Sequence, residues 1–76
     1  MDYILITFAY RDRNYEYTDD LKVPAFLPAG ELIELFGEIY RVTGGALHAE
    51  PKGIILDRAK TLAEQGILHG AKLTLG

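Results

Sequence analysis

Tyr3-Ile4-Leu5-Ile6-Thr7-Phe8-Ala9 is a run of β-branched, aromatic and apolar residues that stops at the polar cluster Arg11-Asp12-Arg13-Asn14, a composition suited to a hairpin turn. It predicts a first strand over residues 2–9. From there Tyr15, Tyr17, Leu21 and Val23 share one parity, while Glu16, Thr18, Asp20 and Lys22 share the other. That period of two predicts a second strand over 14–23 with one wet face, Asp19-Asp20 marking where an interruption would fall. Pro24 then removes a backbone donor, and Pro28 presets the dihedral of a first helical turn, with Glu31 near its positive end.

Between Pro28 and Val42 the period changes. Leu32, Leu35, Phe36 and Ile39 recur at spacings of three and four, and Ile33 and Tyr40 widen the stripe. Glu31, Glu34, Glu38 and Arg41 fall largely outside it, so a single amphipathic helix is predicted. Gly44-Gly45 follows and supplies a residue able to take the left-handed conformation that closes a helix. Gly37, inside the helix, marks a point where another element could cross closely. The rest is short: Ala46 to Glu50, the turn Pro51-Lys52-Gly53, Ile54-Ile55-Leu56, a polar stretch from Asp57 to Lys60, and a last strand over Lys72-Leu73-Thr74-Leu75. The order β-β-α-β-β-β describes an α+β domain with one helix on one sheet face.

The chain has 76 residues, 49% of them hydrophobic and 25% charged, so one core is the most it can bury and residues 1–76 read as a single domain. No repeat, linker or low-complexity segment divides it. With a net charge of -3 and its lysines and arginines scattered among acids, it offers no basic track for nucleic acid. The absence of cysteine excludes disulfides, zinc-thiolate sites and thiol nucleophiles. Tyr3 to Ala9 is too short for a signal core or a membrane span, and Asp2 stands where a signal needs positive charge. A cytoplasmic location without direct membrane insertion is the expectation.

Candidate chemistry is sparse. His48 and His69 lack partners at metal-ligand spacing, with His48 expected to point outward and His69 to occupy a turn before Gly70. Asp19-Asp20 and Asp57 lack the spacing of a calcium loop and read as solvated turn residues. Gly44-Gly45 ends a helix and does not start one, so it makes no phosphate cradle. Glycines 53 and 70 read as turn formers. No catalytic residue, metal ligand or cofactor site is assigned, and an enzyme is not expected.

The stretch from Asp57 through Thr61-Leu62, Ile67 and Gly70 to Leu73-Thr74-Leu75 resembles the last third of ubiquitin-like domains. Physically it is sensible: Thr61 can cap a short turn, and Leu62, Ile67, Leu73 and Leu75 can point into the core. With the opening hairpin and single helix, the resemblance covers nearly the whole chain. It implies the β-grasp fold, a mixed sheet of four to five strands packed on one helix. The segment Pro28-Ala29-Gly30-Glu31-Leu32-Ile33 and the tail from Thr61 to Leu75 most resemble the YukD and EsaB group of bacterial ubiquitin-like proteins, associated with type VII (WXG100) secretion systems. That resemblance implies a non-enzymatic accessory or regulatory component whose partner is a cytoplasmic part of the secretion membrane complex. Conjugated modifiers and sulfur carriers of the superfamily end in a flexible tail closing in Gly-Gly. Here Gly76 directly follows Leu75, so a modifier or sulfur carrier activated at its C-terminus is the disfavoured alternative.

If Ile4, Ile6 and Phe8 face the helix, then Tyr3, Leu5 and Thr7 face away, and two large side chains lie where folding does not require them. The ubiquitin arrangement implied by the resemblance places first and last strands side by side with the third beyond, adding Lys72, Thr74 and His48 to that face. The apolar pair that ubiquitin carries in its third strand has no match in Leu47-His48-Ala49-Glu50, which argues against ordinary ubiquitin receptors. Two readings stay open: a docking patch, or half-exposed strand residues of the ordinary kind. An inverted first strand would replace the residue list altogether.

Overall fold

The computed structural model describes residues 3–11 and 16–76. Along the chain lie β1 (Tyr3–Arg11), β2 (Glu16–Pro24), α1 (Ala29–Tyr40), β3 (Leu47–Glu50), β4 (Ile54–Ile55) and β5 (Ala71–Leu75). They build an α+β fold whose single sheet has the order β2-β1-β5-β3-β4. β1 and β5 run parallel at its centre, and the other neighbours are antiparallel. Among the described residues no helix is long and apolar enough to cross a membrane.

Strand parity decides which side chains meet the helix. Ile4, Ile6 and Phe8 of β1, Leu47 and Ala49 of β3, and Ala71, Leu73 and Leu75 of β5 are buried, while Tyr3, Leu5 and His48 between them are exposed. The inverted first strand is thereby excluded. From the other side Ala29, Leu32, Ile33 and Phe36 of α1 close the core, which Leu62 and Ile67 complete from the last long connection. Phe8 lies at its centre, 4.1 Å from the Phe36 ring centroid and 4.8 Å from that of Tyr40. Burying side chains of this size stabilises the fold by roughly 1.5–3 kcal/mol each, relative to leaving them in water.

The helix departs from its predicted outline. It spans Ala29–Tyr40, with Pro28 as its extended N-cap residue and not its first helical one. No side chain caps it. Instead Ala29 N–H donates to the Lys60 carbonyl at 2.9 Å and Gly30 N–H to the Arg58 carbonyl at 3.0 Å, so the polar stretch satisfies two of its orphan donors. Leu35 and Ile39, predicted to lie in the buried stripe, are exposed, Ile39 by 60%. The buried face is centred one step round the helix, on Leu32, Ile33 and Phe36, because Phe36, tilted, and Tyr40, stacked, both pack against Phe8. The left-handed residue closing the helix is Arg41, with φ 55°, and not one of the glycines. What approaches Gly37 is the helix's own exit: a Cβ there would stand 3.2 Å from the Val42 carbonyl oxygen.

The strands also shift at their ends. β1 runs on through Tyr10 and Arg11, β3 starts at Leu47, Leu56 lies beyond β4, and β5 already includes Ala71. β2 is continuous from Glu16 through Pro24, without interruption at Asp19-Asp20, so these two aspartates are strand residues and not turn residues. Asp57 does occupy a turn, where its carboxylate accepts from Ala59 N–H. Asp2, Asp12-Arg13-Asn14 of the predicted hairpin turn, and Tyr15 lie outside the described residues. Thr61 caps its turn as expected: its Oγ1 accepts from Glu64 N–H at 3.0 Å, and the Glu64 carboxylate accepts from Thr61 N–H at 2.9 Å. That reciprocal pair holds the Glu64 carboxyl below its usual value.

Candidate protein-binding face

The strand registers lay out the sheet face turned away from the helix. Tyr3 lies opposite Pro24, and Leu5 opposite Lys22. Thr7 stands between Asp20 and Lys72, and Lys72 is opposite Glu50. Ala9 stands between Thr18 and Thr74, followed across the sheet by His48 and Ile55. All six residues read from the sequence, Tyr3, Leu5, Thr7, His48, Lys72 and Thr74, share this face. They do not form one apolar patch.

Three environments divide them. Tyr3 and Leu5 occupy one end, 49% and 57% exposed, with the Lys22 ammonium 5.2 Å from the Tyr3 ring centroid. The middle is a polar belt: Thr7 Oγ1 donates to Asp20 Oδ1 at 2.9 Å, and Lys72 Nζ meets Glu16 Oε1 at 3.0 Å. Glu16 also takes Arg11 at 3.0 Å. Lys72 first and then Arg11 hold the Glu16 carboxyl below its usual range. His48, Thr74 and the exposed Ile55 lie beyond this belt. Thr7 and Lys72 are therefore committed within the sheet, and Tyr3 with Leu5 form the apolar end.

The backbone beneath that end is fixed by the turn before β5. Leu5 N–H donates to His69 Nδ1 at 3.0 Å, and Leu5 C=O accepts from Gly70 N–H at 2.8 Å. The imidazole and the Gly70 amide thus continue the pairing of β1 past the end of β5. A shallow groove runs from Leu5 past Lys22 to His69 and Gly70, and another from His69 past Leu68 to Phe26. Leu68 is 72% exposed, and Phe26 is exposed beside it. The sequence carried no periodic signal for Leu68, which follows the buried Ile67 in an irregular segment before β5. Phe26, between two prolines and outside any period, carried none.

Elsewhere the polar groups have structural work. On the helix side of β2, Asp19 accepts the Tyr40 hydroxyl at 2.9 Å. Burial, and then the Asp19 carboxylate, push the Tyr40 phenol up to about 12. No group of three or more His, Asp or Glu side chains is placed to hold a metal ion among the described residues. At the chain end, Gly76 N–H donates to the Ala46 carbonyl at 3.1 Å, and its own carbonyl accepts from Gly45 and Ala46 at 3.0 and 3.3 Å.

No family model matches the chain, and no curated protein does. Solved structures do. The ubiquitin-like domain of an Arabidopsis thaliana protein superposes with a TM-score of 0.74 at 18% identity, over 100% of this chain and 78% of that one. The ubiquitin of Caldiarchaeum subterraneum gives 0.73 at 18% identity, over 96% and 90%. The ubiquitin-like domain of the Mycobacterium tuberculosis type VII secretion system protein ECCD1 gives 0.60 at 20% identity, over 99% and 98%. A protomer of the ESX-3 core complex gives 0.69 at 21% identity, and there the match takes up 16% of the longer chain. With one helix packed on a five-stranded mixed sheet in this order, the chain has the β-grasp fold of ubiquitin-like proteins.

Proposed function

We propose that the chain is a non-enzymatic protein-binding module of the YukD and EsaB kind. In this reading it acts in the cytoplasm as an accessory or regulatory component of a type VII secretion system, docking onto cytoplasmic parts of the membrane complex. The observation that carries the binding role is the exposure of Tyr3 and Leu5 on the sheet face opposite the helix, while their neighbours Ile4, Ile6 and Phe8 fill the core. Folding gains little from large apolar side chains there, and the Leu5 backbone is tied down by its donation to His69 Nδ1 and its acceptance from Gly70 N–H. The backbone likeness to a domain of ECCD1 supports the choice of pathway.

The test is calorimetric titration of the purified cytoplasmic portion of a type VII membrane complex with the wild type and with a Tyr3→Ser/Leu5→Ser variant. Loss of two apolar anchors should weaken binding by about thirtyfold or more, with unchanged circular dichroism. Equal binding by a folded variant would remove the face. No binding by the wild type would remove the secretion assignment.

A further inference from the structure

β2 forms one edge of the sheet over its whole length, Glu16–Pro24. Its register with β1 runs through consecutive residues from Arg11↔Glu16 to Tyr3↔Pro24, so no bulge turns this edge away. The opposite edge, β4, is only Ile54–Ile55. An edge of this length presents a row of backbone donors and acceptors to an incoming strand.

The side chains of β2 select what that strand is. Consider a second copy paired antiparallel about a two-fold axis normal to the sheet. Directly opposed residues must then lie on the same face, so the axis passes through a residue and not between two. A register centred on Thr18 sets Glu16 against Asp20 of the other copy. Centred on Asp19 or on Asp20 it sets two aspartates face to face, and centred on Lys22 two lysines. The registers centred on Tyr17, Leu21 and Val23 are free of such clashes, and of these only the one centred on Leu21 also opposes unlike charges. It places Asp20 opposite Lys22 twice, once on each side of the axis, and Leu21 against Leu21 on the helix side. Asp20, which accepts from Thr7, and Lys22, which lies by the Tyr3 ring, are both exposed, and Leu21 is half-buried.

We propose that this chain forms a homodimer by antiparallel β2–β2 pairing centred on Leu21, joining two sheets into one. Both helices then lie on the same side. Leu5, adjacent to Lys22 in register, sits one strand in from the seam in each copy, so the two Tyr3–Leu5 ends share one continuous outer face. The dimer stands on the charge pattern of β2 and does not depend on the secretion reading.

The experiment is sedimentation equilibrium of the whole chain from about 10 μM to about 1 mM, the range in which weak strand pairing is populated. The wild type should show a concentration-dependent monomer–dimer equilibrium. Asp20→Lys and Lys22→Asp alone each turn two attractive cross-strand pairs into repulsive ones, and each should weaken the dimer by about tenfold or more. Mixing the two variants in equal amounts restores complementary pairs and should restore dimer as a heterodimer, as should the charge-swapped double variant. Independently of any substitution, amide exchange in β2 should slow as wild-type concentration rises. A wild type monomeric throughout, single variants that dimerise like wild type, a folded mixture that stays monomeric, or concentration-independent exchange in β2 would each overturn the proposal.

Discussion

Glu16 and Lys72 belong to β2 and β5, strands that β1 keeps apart, yet their carboxylate and ammonium meet at 3.0 Å. The registers explain how. Glu16 lies beside Arg11 and Lys72 beside Thr7, so the line joining them passes diagonally over Ala9, which lies between those two positions on the same face. Ala9 is fully buried although it faces away from the core. A methyl group beneath the bridge is what lets the two long side chains cross.

Enlarging that methyl is therefore expected to cost more than removing the bridge. Ala9→Leu should destabilise by about 1–3 kcal/mol, as overpacking does. Lys72→Ala should shift the urea midpoint only slightly, since the pair is partly solvated. The bridge also sets a pH dependence. Because the folded Glu16 carboxyl is held below its usual value, mainly by Lys72, its stabilisation is present above about 4.5 and is lost as pH falls through the lower folded value. The stability difference between wild type and Lys72→Ala should therefore shrink in acid. Urea titrations at neutral and acid pH measure both effects, and a difference that grows in acid would contradict the assignment.

A second expectation concerns Tyr40 and Asp19. The phenol is raised to about 12, first by burial and then by the Asp19 carboxylate that accepts its hydrogen bond. A group raised in the fold stabilises fully below its unfolded value, here near 10, and that stabilisation is lost as pH climbs toward 12. Ultraviolet difference titration of the wild type should show one tyrosine ionising later than the others. Asp19→Asn should bring that tyrosine down toward the ordinary range, because the amide accepts without a negative charge. If the late ionisation persists unchanged, the Asp19 contribution is wrong.

The same pair shows where sequence reading reached and where it stopped. The period of two in β1 is sufficient to orient Ile4, Ile6 and Phe8, because each strand side chain has only two directions available. The parity of Tyr17, Leu21 and Val23 includes position 19, but a carboxylate reads as wet. Only Tyr40, arriving 21 positions later from the helix, makes an inward aspartate affordable. The helix stripe was ambiguous for a related reason. Spacings of three and four are satisfied both by Leu32-Leu35-Phe36-Ile39 and by Ala29-Leu32-Ile33-Phe36-Tyr40, and the choice rests on the position of Phe8, which the helix sequence does not contain. On the outer face, Tyr3 and Leu5 were legible from parity. The polar belt that separates them from His48 and Thr74 was not, since it depends on which residues the registers place side by side.

Gly44 and Gly45 permit the sharpest separation of roles. Read along the chain they form one glycine pair at a helix end, but Arg41 already supplies the left-handed residue, and neither glycine has a positive φ. Their surroundings differ. A Cβ on Gly44 would stand 2.6 Å from Leu75 Cγ and 2.8 Å from Leu75 Cδ1, whereas a Cβ on Gly45 meets nothing within 4 Å. Leu75 is only 1% exposed and packed in the core, so it has little room to retreat. Gly44→Ala should therefore destabilise by about 1–3 kcal/mol through displacement of Leu75. Gly45→Ala should be neutral, or stabilising by up to about 1 kcal/mol, because it restricts the unfolded chain without a clash. Thermal and urea unfolding of the two variants compare them directly. Similar losses at both positions would mean that the loop, and not the approach of Leu75, requires glycine.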